Sequence, residues 1–142
     1  MKKILRPVCI ILIFALLLSV PVFAEEESSA WASSYFIAYS TYLYRTTGTQ
    51  FQVWFDVSAR SIMNELGVNS IKVQRSSDGE NWTTVKTYLP EDYPQMLCES
   101  TGSHTGYVTY TGTSGYDYRA YVTFYAMNDT GIGKRFVYAY FL

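Results

Sequence analysis

The sequence predicts an all-β fold, and three observations support this. From Trp31 onward, apolar or aromatic runs give way about every ten residues to Gly, Asn, Asp, Ser or Pro, the spacing of short strands and turns. Residues 50–59 alternate strictly between polar and apolar side chains, as a half-buried strand does. Residues 116–127 alternate similarly and end in a turn signal, Asn-Asp-Thr-Gly. We therefore predict a seven-stranded, two-sheet Greek-key sandwich.

Each predicted strand is rich in β-branched or aromatic residues and is bounded by turn-forming residues. The strands lie at residues 34–44, 50–59, 70–75, 82–88, 105–111, 116–127 and 135–141. Residues 62–66 have helical spacing and precede Gly67, so one short helical turn is expected there. Residues 89–103 show no periodicity and predict a long irregular loop, a common place for function.

The first 24 residues have the three regions of a signal peptide. Lys2, Lys3 and Arg6 form a positive start, an apolar stretch follows, and Val22-Phe23-Ala24 offers small residues for cleavage. The apolar stretch is shorter than the ~20 residues that span a bilayer. We therefore expect cleavage after Ala24, a secreted protein with no membrane attachment, a disordered lead-in at 25–30 and one sandwich domain at 31–142.

Charge and cysteine content narrow the function classes. Removing residues 1–24 takes away three of eleven basic residues and none of the twelve acidic ones, which leaves a charge of −4. The remaining Lys and Arg are scattered, apart from Lys134-Arg135, so nucleic acid is not an expected partner. Cys98 is the single cysteine after processing. It is therefore a buried apolar residue, a reactive thiol or a site of intermolecular cross-linking.

Two segments resemble fibronectin type III domains. Residues 71–85, with Ser-Ser-Asp-Gly-Glu-Asn between two strands, resemble the C strand, turn and C′ strand of that family, and residues 115–122 resemble its F strand. The resemblance implies a scaffold without catalytic residues. It also implies that a tyrosine near the start of F, Tyr116 or Tyr118, hydrogen-bonds to the preceding turn. The chain departs from the family at Trp54, which lies in the outward phase.

The whole chain is similar to small secreted proteins of Gram-positive, clostridia-like bacteria, with a signal peptide, a Trp-Ala-Ser-Ser-Tyr-Phe start at Trp31 and the run Val-Thr-Phe-Tyr-Ala at 122–126. This resemblance implies a bacterial, extracellular or cell-envelope location. It supplies no activity, ligand or site residue.

An excess of aromatic residues provides the main functional hypothesis. The chain has fourteen tyrosines and three tryptophans, and tyrosine places a flat apolar ring beside a water-tolerant hydroxyl. If alternate residues from Tyr116 to Ala126 face inward, other side chains of the last two strands form an outer face. Its predicted ligand-binding residues are Arg119, Tyr121, Tyr125, Tyr138 and Tyr140. Cell-wall polysaccharide or another extracellular protein would be the partner, and the alternative is that cross-strand tyrosine pairs only stiffen the sheet.

Catalytic and metal sites have weaker support. His104 is the single histidine, and a nucleophile or metal site needs further partners in suitable positions. Glu91, Asp92 and Glu99 lack the spacing of a calcium loop. We expect no cofactor, metal or catalytic residue, and hence a non-catalytic binding module. A small hydrolase or inhibitor using His104 and loop 89–103, and a structural matrix protein assembling through edge strands, are the alternatives.

Overall fold

The computed structural model describes residues 34–142. The predicted signal peptide, the lead-in and the first residues of the predicted domain lie outside this range. The described residues form an all-β fold of six strands and one 3-10 helix, Pro94–Met96. The strands are β1 (Phe36–Thr47), β2 (Gln50–Ser76), β3 (Thr83–Tyr88), β4 (Leu97–Thr111), β5 (Asp117–Asn128) and β6 (Gly131–Ala139). No helix within residues 34–142 is long and apolar enough to cross a bilayer.

All six strands belong to one antiparallel sheet organised around β2. Residues 50–58 of β2 pair with β1 on one side and with residues 103–111 of β4 on the other. Residues 65–76 of β2 pair with β5, and β5 pairs with β6. On the opposite side of this second segment, residues 71–75 pair with β3. We call the part around residues 50–58 the first half-sheet and the part around residues 65–76 the second half-sheet.

The sheet curls because β2 bends between its two segments. Ser58 pairs with Ser103, and the next pair is Met63 with Thr101, so the extra residues of β2 bulge out of the ladder. The inner sides of the half-sheets then pack together, as the ring contact of Tyr39 with Phe124 at 5.4 Å shows. They share one core, whose largest fully buried rings are Phe51, Phe55 and Phe124.

Contacts at both edges hold the curled sheet together. On one edge, the amide of Leu43 donates to the carbonyl of Tyr140 at 2.8 Å, and Leu43 also forms a bridge with Phe141. On the other edge, the buried Tyr88 of β3 donates its hydroxyl to the carbonyl of Thr109 in β4 at 2.8 Å. Burial, with the nearby tyrosine hydroxyls, raises the pKa of Tyr88 to about 12.

The all-β prediction is confirmed, but the helical turn at 62–66 is wrong because these residues lie within β2. The strands predicted at 50–59 and 70–75 are one continuous strand. Met63 and Leu66 are both buried, three positions apart, as on a helix face. No register shift separates them, since Met63, Glu65 and Leu66 pair in sequence with Thr101, Glu99 and Cys98, so this spacing arises within an extended strand that follows the bulge.

The long irregular loop expected at 89–103 is also wrong in its second half, because β4 already begins at Leu97. Polar residues such as Thr101 and Ser103 interrupt the apolar periodicity of this strand, so the sequence did not predict it. The preceding 3-10 helix inserts the fully buried Met96 into the core. The irregular part is therefore short and anchored.

Tyr118 fulfils the expectation of a tyrosine that ties strand to turn. Its hydroxyl accepts a hydrogen bond from the amide of Thr113 at 2.7 Å and donates to the carbonyl of the same residue at 3.3 Å. Tyr116, predicted to face inward, is instead 39% exposed and lies under the guanidinium of Arg75.

Gly67 permits the closest approach between β2 and the 3-10 helix. Its φ is +151°, and a Cβ there would collide with the carbonyl oxygen of Met96 and lie 3.1 Å from the ring of His104. Gly67 was expected to end a helix. It instead leaves space for the chain segment that crosses beside β2.

We predict that Gly67→Ala lowers the free energy of unfolding by about 1–3 kcal/mol, the usual cost of overpacking, measured by urea denaturation. Gly102→Ala is the matched control in the neighbouring strand, since a Cβ there meets its nearest atom at 3.6 Å. Equal stability of the two variants would contradict the tight approach at Gly67.

Candidate binding site

The outer side of the second half-sheet carries a cluster of aromatic side chains around one arginine. Arg119 and Tyr121 of β5 point outward, because the alternate residues Ala120 and Val122 are fully buried. On β6, register pairs Tyr121 with Tyr138. We call this cluster the Arg119 face. Its members are Gln74, Trp82, Arg119, Tyr121, Phe136, Tyr138 and Tyr140.

Arg119 is held between two rings that come from opposite sides of β5. Its Cζ lies 4.3 Å from the centroid of Trp82 and 4.3 Å from that of Tyr138. Its Nε donates to Oε1 of Gln74 at 2.8 Å. Each cation–π contact contributes roughly 0.5–1 kcal/mol at a site open to water. The terminal nitrogens of Arg119 make no hydrogen bond to residues 34–142, so they remain available to a ligand.

The aromatic rings beside Arg119 form a connected, partly exposed surface. Tyr121 contacts Tyr138 at 4.9 Å and stacks nearly parallel to Phe136 at 5.9 Å, and Tyr138 contacts Tyr140 at 6.4 Å. Phe136 and Tyr140 are each 54% exposed. Such contiguous apolar exposure is typical of interaction surfaces.

The hydroxyls of these surface tyrosines differ from those of the core. Tyr88 and Tyr118 use their hydroxyls in hydrogen bonds to backbone groups. Among the described residues, the hydroxyls of Tyr121, Tyr138 and Tyr140 have no such partner. They therefore keep their hydrogen-bonding capacity for water or a ligand.

Four of the five predicted site residues come together here, and Tyr125 does not. Tyr125 pairs with Lys134, farther along the sheet, and its hydroxyl donates to the sulfur of Met127 at 3.4 Å. Burial, with the carboxylate of Glu65 nearby, raises its pKa. The predicted outer face is therefore a compact cluster that lacks Tyr125.

Sequence reasoning missed Trp82 and Phe136. Phe136 has the same parity as Tyr138 and Tyr140, so the period-two pattern that placed those tyrosines outside would also have placed Phe136 there. Trp82 precedes β3, and no periodicity connects it to Arg119. Only the pairing of β2 with both β3 and β5 brings the indole over the guanidinium.

A cleft of about 330 Å³ opens at one end of the Arg119 face. Trp82 and Tyr140 belong to both the cleft and the face. Arg45 and Asp117 add a cation and a carboxylate, and Arg45 lies over the ring of Phe141 at 4.5 Å. This open cleft therefore places apolar rings beside a cation and a carboxylate.

The hairpin turn before Trp82 is held by Asp78. Its Oδ1 accepts hydrogen bonds from the hydroxyl of Ser76 and from the amides of Glu80 and Asn81, at 2.7–2.9 Å. Its Oδ2 accepts from Nδ2 of Asn81 at 2.7 Å. The hydrogen bonds from Asn81, then those from Ser76 and Glu80, lower the pKa of Asp78 well below its usual range. These hydrogen bonds order the turn that immediately precedes Trp82 and so help to position its side chain.

His104 is held in place by one backbone hydrogen bond and one ring contact. Its Nε2 donates to the carbonyl of Gln95 at 2.8 Å, and its ring packs 5.6 Å from Phe55. The neighbouring Thr105 donates its hydroxyl to Asp56 instead, at 3.0 Å. No nucleophile is therefore hydrogen-bonded to this imidazole within residues 34–142. In the same range, no three His, Cys, Asp or Glu side chains are grouped as metal ligands. Cys98 is free and half-buried.

We predict that Asp78→Asn destabilises the protein at neutral pH, because the amide replaces a carboxylate that accepts four hydrogen bonds. A lowered folded-state pKa stabilises the fold above the unfolded-state pKa, and this contribution is lost as the pH falls toward the folded-state value. The difference from wild type should therefore narrow between pH 4 and pH 2. Urea denaturation across this range measures it.

Glu80→Gln is the control for this effect. Glu80 lies in the same exposed turn, and its side chain makes no hydrogen bond to the described part of the chain. A stability difference for Asp78→Asn that stays constant with pH would contradict the assigned role of the carboxylate.

No protein-family model, curated protein or solved structure matches this chain. The resemblance to fibronectin type III domains and to secreted clostridia-like proteins therefore remains a prediction. The functional assignment depends on the geometry of the chain itself.

Proposed function

We propose that the protein is an exported, non-catalytic binding module that holds polysaccharide on its Arg119 face. The observation that carries this proposal is the guanidinium of Arg119, fixed between Trp82 and Tyr138 with its terminal nitrogens unpaired by any group of residues 34–142. A fixed donor beside exposed rings meets the two needs of a sugar. The rings cover its apolar C–H face, and the donor binds its oxygens.

The polar groups fit a ligand with many oxygens. The unpartnered hydroxyls of Tyr121, Tyr138 and Tyr140 act as donors and acceptors, as sugar hydroxyls do. The planar fork of Arg119 also fits a carboxylate or phosphate on an anionic polysaccharide. The cleft next to Trp82 would receive the adjoining part of the chain, with Asp117 and Arg45 in reach of its hydroxyls.

A protein partner is the second candidate, favoured by the composition of the face. Tyrosine, tryptophan and arginine are the residues most enriched in the energetic centres of protein interfaces. Phe136 and Tyr140 are each 54% exposed, and Tyr138 between them is 43% exposed. This run of rings at the end of the chain would suit an extended partner segment.

We further propose that the fold is related to fibronectin type III domains. The hydrogen bonds of Tyr118 to Thr113 support this relation, since the resemblance anticipates them. In the proposal, the two half-sheets correspond to the two layers of that family. The secreted location is proposed from residues 1–24.

The proposed function predicts that Tyr138→Ala weakens polysaccharide binding at least tenfold, about 1.4 kcal/mol, because one ring next to Arg119 is lost. Affinity electrophoresis in gels containing anionic or neutral polysaccharides, and retention on purified bacterial cell walls, measure this change. Arg119→Lys should also weaken binding, since the ammonium loses the planar fork.

Ile132→Ala is the matched control, because it removes a similarly exposed apolar side chain from the same strand outside the cluster. Equal retention of wild type and Tyr138→Ala would rule out the Arg119 face as the site. Binding of an extracellular protein that Tyr138→Ala abolishes, without any retention by polysaccharide, would favour the second candidate.

A further inference from the structure

The outer side of the first half-sheet carries a second aromatic group, formed by Tyr42, Trp54 and Tyr107. These residues occupy one level of the sheet, since Tyr42 pairs with Trp54 across β1 and β2, and Trp54 pairs with Tyr107 across β2 and β4. We call them the Trp54 row. Trp54 is outside because Val53 and Phe55 on either side of it are buried.

Two rings of the row are nearly parallel, and the third is tilted against them. Tyr42 and Trp54 are within 5° of parallel, with centroids 6.5 Å apart, and Tyr107 lies 4.7 Å from Trp54 at 33°. Nε1 of Trp54 donates to Oε1 of Gln52, two residues earlier on the same face, at 2.8 Å. This bond draws the indole along the strand and fixes its orientation.

The row extends across three strands and is partly exposed. Tyr107 is 43% exposed, whereas Tyr42 and Trp54 are half-buried, and Tyr44, next to the row on β1, is 54% exposed. Adjacent strands are ~4.8 Å apart, so the row extends roughly 10 Å across the sheet. One aromatic ring is about the size of one pyranose, so this length accommodates consecutive sugars of an extended chain.

The surroundings of the row are polar and carry no positive charge. The next residues on the same side of the sheet, two positions along each strand, are Tyr44, Gln52 and Thr109 in one direction. In the other direction they are Ser40, Asp56 and Thr105. None of these residues or the row is Lys or Arg. Single-stranded nucleic acid needs basic residues as well as stacking rings. Hydroxyl, amide and carboxylate groups beside partly exposed rings instead match a neutral glycan.

We propose that the Trp54 row is a second binding site, specific for an extended neutral polysaccharide lying across β1, β2 and β4. The apolar faces of the polysaccharide's sugars stack on the three rings. Gln52 and Asp56 bind hydroxyls on the two sides of the chain. The row differs from the Arg119 face, whose central cation also accepts an anionic chain.

The two sites point away from each other. Both half-sheets turn their inner sides to one core, as the contact of Tyr39 with Phe124 shows, so their outer sides face in opposite directions. Resting on the proposed function of the Arg119 face, this arrangement lets one molecule join two polysaccharide chains. Two weak sites on one module also raise retention on a dense polymer, because the second contact becomes intramolecular.

The test uses affinity electrophoresis in gels containing hydroxyethylcellulose, glucomannan or soluble starch. We expect Trp54→Ala and Tyr107→Ala each to lose at least tenfold in retention by the neutral polymer that wild type binds. Trp54→Phe should keep part of it. Ile37→Ala, an exposed apolar change on β1, should bind as wild type. Circular dichroism of each variant reports whether the fold is retained, and Tyr107→Ala tests the row if Trp54→Ala does not fold.

Comparison with Tyr138→Ala separates the two sites. Loss of neutral-polymer binding by the row variants, with Tyr138→Ala unaffected, supports the row. The same variants in gels containing an anionic polysaccharide then test the Arg119 face, and retention of Tyr138→Ala equal to wild type in both kinds of gel contradicts it. Loss only with Tyr138→Ala overturns the row and leaves the proposed function in place. Absence of wild-type binding to any polysaccharide overturns both. Light scattering of mixtures tests bridging, which should be seen with wild type and be absent when either site is removed.

Discussion

The continuous pairing of β2 is the constraint on which the rest of the structure depends. This strand supplies hydrogen bonds to β1, β3, β4 and β5, so its backbone organises both half-sheets. Its bulge after Ser58 turns one sheet back on itself and encloses the core. The backbone groups of the central strand remain paired through most of its length, which a buried strand requires. The bend therefore creates two inner sides without dividing the sheet.

The two aromatic surfaces are a consequence of this arrangement. In a strand with one buried side, every second residue must face water. The chain places rings rather than charges at many of these positions, and cross-strand register then decides which rings meet. Trp54 meets Tyr42 and Tyr107 because three strands are in register there. Arg119 meets Trp82 because β2 lies between β3 and β5, and Gln74 of β2 holds the guanidinium.

The surfaces also differ in their charge. The Arg119 face has rings around a fixed cation next to a cleft, whereas the Trp54 row has rings between uncharged or acidic groups. Tyrosine suits both, because its ring stacks and its hydroxyl stays hydrated. The core uses the same residue differently, with the hydroxyls of Tyr88 and Tyr118 bonded to backbone. One residue type thus closes the fold and forms its outer surfaces.

Alternation in the sequence by itself determined the all-β class, the inward phase of residues 50–59 and 117–126, and the outward positions of Arg119, Tyr121, Tyr138 and Tyr140. These are properties of single strands with period two. Residues 62–66, which follow the bulge after Ser58, resembled a helix, and β4 resembled a loop, because neither segment keeps a clear period of two in its sequence. Tertiary structure alone decided that Trp82 joins Arg119, that Tyr125 stands apart and that Trp54 forms a row. Each of these depends on register between distant strands, which local side-chain pattern does not encode.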